Sequence, residues 1–180
     1  SPTSFFQPNA YQVENLFSEI LALAEPGQDS LVYDLYCGLG AISLFLARTC
    51  RSVLGVENHS ESVRMAAENA ERNSVENCSF VAADVVEALK SDFIKRNGQP
   101  KVLILDPPRA GLHPDVVKGL LRVKPKRIVY TSCNPATQSR DLKVLIEEYR
   151  VLAVQPVDMF PQTFHIESVV ALELGNGPAT

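Results

Sequence analysis

The sequence contains no tryptophan and only two methionines, and its four cysteines stand far apart at positions 37, 50, 78 and 133. Such spacing excludes the Cys-x-x-Cys pairs of zinc ribbons and the cysteine runs that hold iron–sulfur clusters, so no metal is expected. A secretory signal is also missing, which predicts reduced thiols and a cytoplasmic location. No stretch reaches the ~18 consecutive apolar residues of a membrane span, so no membrane partner is expected. Positive charge is not in excess either: 17 Lys and Arg against 21 Asp and Glu leave a net charge of −4. A general nucleic-acid wrapper is basic overall, so any polynucleotide partner must be held by a local patch or by another domain.

What remains is globular. With 180 residues, 46% of them hydrophobic and 21% charged, the chain is too apolar for disorder and long enough for one domain with a full core. Val13, Leu16, Phe17, Ile20 and Leu21 recur at helical spacing, and Pro26-Gly27 ends the pattern. Beyond them, short Val/Ile/Leu-rich runs alternate with helix-period segments, the pattern of a parallel sheet flanked by helices. Strands are predicted at Leu31 to Tyr36, Ser52 to Glu57, Cys78 to Ala82, Lys101 to Leu105, Arg127 to Thr131, Val151 to Val154 and Ser168 to Leu174. Helices are predicted at Ala41 to Thr49, Ser60 to Asn73, Val85 to Arg96, Pro114 to Arg122 and Ala136 to Glu148. The fold class is α/β, a doubly wound Rossmann-like sheet of seven strands, with ligands expected at the carboxyl ends of the strands.

The first strand runs into Asp34-Leu35-Tyr36-Cys37-Gly38-Leu39-Gly40 and then directly into a helix, so Gly38 and Gly40 let backbone approach a ligand at a helix N-terminus. Glu57, closing the second strand, follows Asp34 at roughly the ~20-residue offset of a ribose-gripping carboxylate. Ser43 stands where a dinucleotide fingerprint has its third glycine, which favours a cofactor with a ribose and no pyrophosphate. S-adenosylmethionine is such a cofactor, and Asp34-x-x-x-Gly38-x-Gly40 with Glu57 resembles the binding motif of the class I S-adenosylmethionine-dependent methyltransferases. The plainer alternative is a structural turn beside an exposed acidic strand end. Asp84, after the third strand, has two readings, a contact to adenine or ribose and a cap on the next helix.

Two further loops reach the same edge. Asp106-Pro107-Pro108-Arg109-Ala110-Gly111 follows the fourth strand, where two prolines fix φ and can hold Asp106 reproducibly. Methyltransferases acting on exocyclic amines end this loop with a stacking aromatic; Arg109 here argues for a substrate held partly by charge. Tyr130-Thr131-Ser132-Cys133-Asn134-Pro135 closes the fifth strand, and a thiol facing a helix N-terminus is expected to lie toward thiolate, the nucleophilic form. Cys50 and Cys78 read as small buried hydrophobes and Cys37 as packed inside the glycine turn. Phe160-Pro161-Gln162-Thr163-Phe164-His165-Ile166-Glu167 leads into the last strand carrying both common types of general base.

Taken in order, Phe6-Gln7-x-Asn9, Asp34-Leu35-Tyr36-Cys37-Gly38, the Asp106 to Gly111 loop, Ser132-Cys133-Asn134-Pro135 and Pro161-Gln162-Thr163-x-His165-x-Glu167 closely resemble the RNA uracil-C5 methyltransferases, which act on tRNA and 23S rRNA. The resemblance implies S-adenosylmethionine as methyl donor and a uridine in rRNA or tRNA as acceptor. It also implies Gln7, Tyr36, Gly38, Gly40, Glu57 and Asp106 as cofactor-binding residues, with Asp84 beside them, Cys133 as nucleophile and Glu167 as proton-abstracting base. Arg109, Arg140 and His165 are then substrate neighbours. Family members usually carry an N-terminal RNA-binding portion and a central domain, and some an iron–sulfur cluster; none precedes Ser1, so residues 1–180 are expected to be the catalytic domain alone.

The implied chemistry needs these residue types. Carbon 5 of uracil is a poor nucleophile until a thiolate adds at carbon 6, and the resulting enolate must lie within ~3 to 3.5 Å of the methyl group. A base then removes the carbon 5 proton, and burial is expected to raise the pKa of Glu167 toward neutrality. The target base must be flipped from its stack, with phosphates held by cations. Lys118, Arg122, Lys124, Lys126 and Arg127 offer one basic stretch, readable equally as a solvated helix and turn. Competing expectations are RNA cytosine-C5 methylation, which would place a further cysteine in the Asp106 loop, and a noncatalytic S-adenosylmethionine- or RNA-binding module.

Overall fold

The computed structural model describes residues 10–159 and 166–175. Chain order is α1 (Ala10–Ala24), β1 (Leu31–Leu35), α2 (Ala41–Leu46) with a 3-10 turn to Thr49, β2 (Ser52–Glu57), α3 (Ser60–Arg72), β3 (Cys78–Ala82), α4 (Val85–Ala88) and α5 (Ser91–Asn97). It continues with β4 (Val102–Leu105), α6 (Pro114–Val123), β5 (Arg127–Ser132), α7 (Pro135–Leu145), β6 (Tyr149–Val157) and β7 (Glu167–Leu174). The strands form one seven-stranded sheet in the order β3-β2-β1-β4-β5-β7-β6.

Alternation along each strand builds two cores. Tyr33, Leu35, Leu103, Leu105, Ile128 and Tyr130 point to one face, against side chains from α4, α5, α6 and α7. Val32, Val53, Val102, Ile104 and Val129 point to the other, against Leu16 and Ile20 of α1 and Ile42 and Leu46 of α2. Both faces being covered explains why the inner strands read as continuous apolar runs.

Three expectations change. The sheet is mixed: β7 lies antiparallel between β5 and β6, so its beginning, not its end, reaches the carboxyl edge of the other strands. The helix expected over Val85 to Arg96 is two helices, because Leu89 and Lys90 leave the helical path. Leu89 packs on Gly119 of α6, where a Cβ would come within 2.8 Å of it, and its freed carbonyl accepts from Arg122 Nη2 at 3.3 Å. Third, β6 extends to nine residues although Arg150, Gln155 and Pro156 are poor strand formers; it is an edge strand, where a proline need not donate to a neighbour.

The expected basic stretch lies at the wrong end. Arg127 opens β5 at the amino edge, about 17 Å along the strand from Ser132. Its guanidinium donates to the Leu23 carbonyl at 2.8 Å and pairs with Glu25 and Glu173 at 3.3 and 3.2 Å, tying α1 to the far end of β7. Lys118 pairs with Asp115, and Lys124 with Glu148. Arg127 thus serves the fold rather than a substrate strand at the carboxyl edge.

Candidate active site

The carboxyl edge assembles acidic groups from neighbouring strands. Register pairs Asp34 with Gly55 and with Ile104, so the ends of β1, β2 and β4 lie side by side. Asp34 is fully buried; Ser43 Oγ donates to its Oδ2 at 2.5 Å, while Oδ1 has no partner. Ser43 thus replaces the third glycine with a hydroxyl that holds this carboxylate. Burial pushes the Asp34 carboxyl up to about 7, the Ser43 hydrogen bond opposes the rise, and nearby Glu57 adds to it.

The glycine turn fits a ligand. Gly38 and Gly40 have φ of +53° and +81°, which disfavours side-chain-bearing residues there, and a Cβ at Gly38 would meet nothing within 4 Å. Glu57 accepts from the Gly38 amide at 3.2 Å and from the His59 amide at 3.0 Å, so it braces the turn. Tyr36 also has positive φ, +66°. Continued alternation would send Tyr36 to the α1/α2 side; the left-handed backbone turns it onto the opposite core, near Asp84 and Asp141. Burial, assisted by those two carboxylates, pushes its hydroxyl up to about 12.

Beside Tyr36 opens a cavity of about 290 Å³. Its apolar lining is Val85, Val86 and Val116, and its polar lining is Tyr36, Asn58, Asp84 and His113. Asp84 caps α4, its Oδ1 accepting from the Val86 amide at 2.7 Å, as one of its two sequence readings expected, and it also lines the cavity. Asn58 and His113 carried no motif; the only sequence signal was their position just after a strand and just before a helix.

A second cluster lies where β4, β5 and β7 meet. Register sets Ser132 opposite Ser168, and Cys133 and Glu167, the next residues at that edge, are close enough for the Glu167 charge to act on the Cys133 thiol. Glu167 is buried, and burial raises its carboxyl above the usual range, in the expected direction. Burial pushes the Asp106 carboxyl up to about 7, with Glu167 and Asp34 adding to the rise. Cys133 is half-buried, and its thiol is raised rather than lowered. Burial and the negative charges of Glu167 and Asp106 outweigh Arg109, which acts in the opposite sense. The direction is opposite to the lean toward thiolate expected of a thiol facing a helix N-terminus, and burial is its largest cause.

Helix α7 holds the cluster together. Asn134 Nδ2 and Thr137 Oγ1 donate to the Arg109 carbonyl at 3.3 and 3.2 Å. Arg140 Nη2 donates to the carbonyls of Ala110 and Leu112 and pairs with Asp141 at 2.8 Å, so Arg140 clamps the loop after β4. Asp141 also accepts from the Leu112 amide at 2.8 Å and Tyr130 Oη at 2.9 Å. Gln138 Nε2 donates to the Tyr130 and Ser168 carbonyls at 2.8 and 3.0 Å, bridging β5 and β7. Gln138 and Asp141 went unassigned in the sequence; their signal was polarity at core positions i and i+3 of a helix whose next inward residue is Leu145. Gln7 and His165 lie outside the described residues. Among the described residues, no cluster of three or more His, Cys, Asp or Glu is placed to hold a metal, and no helix is long and apolar enough to cross a membrane.

Known proteins share this fold and sequence. A tRNA (uracil-54, C5)-methyltransferase of Pyrococcus abyssi, solved in complex with S-adenosyl-L-homocysteine, superposes with a TM-score of 0.81 at 40% identity over 95% of this chain and 40% of that one. A precorrin-6Y C5,15-methyltransferase of Geobacter metallireducens, at 13% identity, covers 88% of this chain and 87% of that one with a TM-score of 0.71 and shares the fold alone. An uncharacterized RNA methyltransferase of Bacteroides thetaiotaomicron is 51% identical over 173 residues, 96% of this chain and 38% of the relative. Another, of Chlorobaculum tepidum, is 43% identical over 175 residues, 96% of this chain and 36% of the relative. The chain thus spans about two fifths of the length of such relatives or less. A family model described as tRNA (uracil-5-)-methyltransferase matches residues 1–174. By a match of that extent, and by relatives this similar along nearly its whole length, the chain belongs to the tRNA (uracil-5-)-methyltransferase family.

Proposed function

We propose that the protein methylates carbon 5 of a uridine in RNA, using S-adenosylmethionine and a transient bond from Cys133 to carbon 6. The observation that carries the reading is the clustering of Cys133, Glu167 and Asp106 at the β4/β5/β7 edge, each within electrostatic reach of the others, in a chain of this family. The cofactor, when bound, supplies the electrophilic methyl group. Its fit rests on the open space above Gly38, the unpartnered Oδ1 of buried Asp34 and the cavity beside Tyr36 and Asp84. Gly38, Gly40, Glu57 and Asp84 would hold it, with Gln7 contributing from outside the described residues.

The side chains divide the work. Cys133 gives up its thiol proton to solvent, its sulfur forms a bond to carbon 6, and the electron pair of the 5,6 double bond moves onto the carbon 4 oxygen as an enolate. Asp106, which retains a proton in part near neutral pH, donates a hydrogen bond to that oxygen. After carbon 5 has gained the methyl group, Glu167 takes its proton, the carbon 6–sulfur bond breaks and Cys133 leaves as thiolate. Arg109 places a positive charge beside the thiolate that must form. Substrate contacts by Arg109, Arg140 and His165 belong to the same proposal, as does a cytoplasmic location.

The test is incubation of 5-fluorouridine RNA with the protein and S-adenosylmethionine. Fluorine at carbon 5 blocks proton removal, so a stable protein–RNA adduct on Cys133 is expected, and Cys133→Ser is expected to form none. An adduct that persists in Cys133→Ser overturns the assignment, and base analysis of methylated bulk RNA separates uridine from cytidine as acceptor.

A further inference from the structure

We infer that Gln138 is a positioning residue: its buried side-chain amide fixes Cys133 relative to Glu167 where the pairing of β5 with β7 stops. The inference rests on the function proposed above and adds to it a residue that acts through the nucleophile and the base.

The β5/β7 ladder ends at the Ser132–Ser168 pair, so its pairing does not extend to Cys133. Glu167 has its own ladder partner in Val157 of β6. Strand pairing therefore holds the base against β6 and leaves the nucleophile to the chain that follows it. That chain turns at once into α7, which begins at Pro135. Gln138, one turn into the helix, reaches back to both strands. Its Nε2 donates to the Tyr130 carbonyl at 2.8 Å and to the Ser168 carbonyl at 3.0 Å. The first bond closes a loop of chain, from Tyr130 to Gln138, that contains Cys133. The second fastens this loop to the residue directly after Glu167.

Both partners are carbonyl oxygens, which only accept, so the amide nitrogen must face them and both of its protons are used. Gln138 is 2% exposed, and a buried amide is unfavourable unless its hydrogen bonds are made. Docking of α7 does not call for that amide. Leu145 is fully buried, and Asp141 anchors the helix through Tyr130 Oη and the Leu112 amide. An apolar side chain of the same length would pack as well; what the amide adds is a tie between two strands at the end of their ladder. The charge of Glu167 acts on the Cys133 thiol, and such an effect weakens with separation, so it reports the geometry that Gln138 sets.

A double-mutant cycle on alkylation of Cys133 by iodoacetamide tests this without RNA. Glu167→Gln is expected to speed alkylation at pH 8 several-fold when Gln138 is present. In Gln138→Met, which keeps the length of the side chain and lacks its donors, the same change is expected to alter the rate by less than about twofold. Gln138→Met is also expected to bind S-adenosylhomocysteine as the unaltered protein does. With saturating cofactor and RNA it should form the 5-fluorouridine adduct about 10²-fold more slowly, the scale set by an ångström of misplacement. An undiminished effect of Glu167→Gln in Gln138→Met, or an unchanged rate of adduct formation, overturns the inference and leaves the proposed function standing. Failure of the unaltered protein to form the adduct overturns the proposed function and the positioning role with it. A measurement on the unaltered protein guards against a folding defect. By NMR, both side-chain amide protons of Gln138 are expected to exchange with solvent at least about tenfold more slowly than those of exposed Gln155; equal rates overturn the inference.

Discussion

Cys133 and Glu167 lie beside the last pair, Ser132–Ser168, of the antiparallel β5/β7 ladder, where the Glu167 charge acts on the Cys133 thiol. Glu167 raises the Cys133 thiol, and Arg109 lowers it. Alkylation of Cys133 by iodoacetamide, followed by peptide mass mapping, is therefore expected to be slow at pH 7 and to accelerate as pH rises past 9. Glu167→Gln removes a negative neighbour and should speed alkylation at pH 8 several-fold; Arg109→Ala should slow it. Reversal of either sign would show that other charges govern the thiol.

Removing the base should separate the two halves of the reaction. With Glu167→Gln, methyl transfer to carbon 5 is expected to proceed while release stalls, so a methylated protein–RNA complex accumulates with ordinary, unfluorinated RNA. Turnover should fall by about 10²–10⁴-fold, the range for loss of a positioned general base. Denaturing electrophoresis with labelled methyl groups reads both. Undiminished turnover would transfer the role elsewhere, and His165 is then the next residue to test.

Asp34 makes stability depend on pH in an unusual direction. Its folded pKa of about 7 lies above the unfolded value near 3.8, so between these values the folded state binds more protons than the unfolded one. The contribution is fully present below the unfolded pKa and is lost as pH rises through 7. Asp34→Asn removes this dependence. Its melting temperature relative to the unaltered protein should therefore be more favourable at pH 8 than at pH 4.5, and a constant difference across that range would refute the assignment.

Gly55 is a packing requirement. A Cβ there would lie 2.4 Å from Phe80 Cδ1 and 2.9 Å from Cys37 Sγ. Gly55→Ala is expected to destabilise by about 1–3 kcal/mol, the range for overpacking. Urea denaturation should show most of that loss disappearing in a Phe80→Ala background, because the ring that blocks the methyl group is gone.

Much of this was legible from local signals. β2 and β3 match their predicted limits because Ser52–Glu57 and Cys78–Ala82 are apolar runs with clear breaks at either side. Asp34, Gly38, Gly40, Glu57, Asp106, Cys133 and Glu167 gather at one edge because strand ends of an α/β sheet converge there whatever lies between them in the chain. What was not legible depended on neighbours distant in sequence. Nothing near Leu89 announces a break in the helix; Gly119 and Arg122, thirty residues on, create it. Arg127 reads as a phosphate ligand until Leu23 and Glu173 are seen to occupy it. The upward direction at Cys133 was not legible for the same reason, since the burial that raises it, and the Glu167 and Asp106 charges that add to it, come from residues distant in sequence.

The reversal of β7 sets Glu167 apart from the end of its own strand. Glu167 begins β7 and Leu174 ends it, about 23 Å away at the opposite rim of the sheet. A fluorescent or affinity label anchored near Leu174 therefore sits a full strand length from the Cys133 edge.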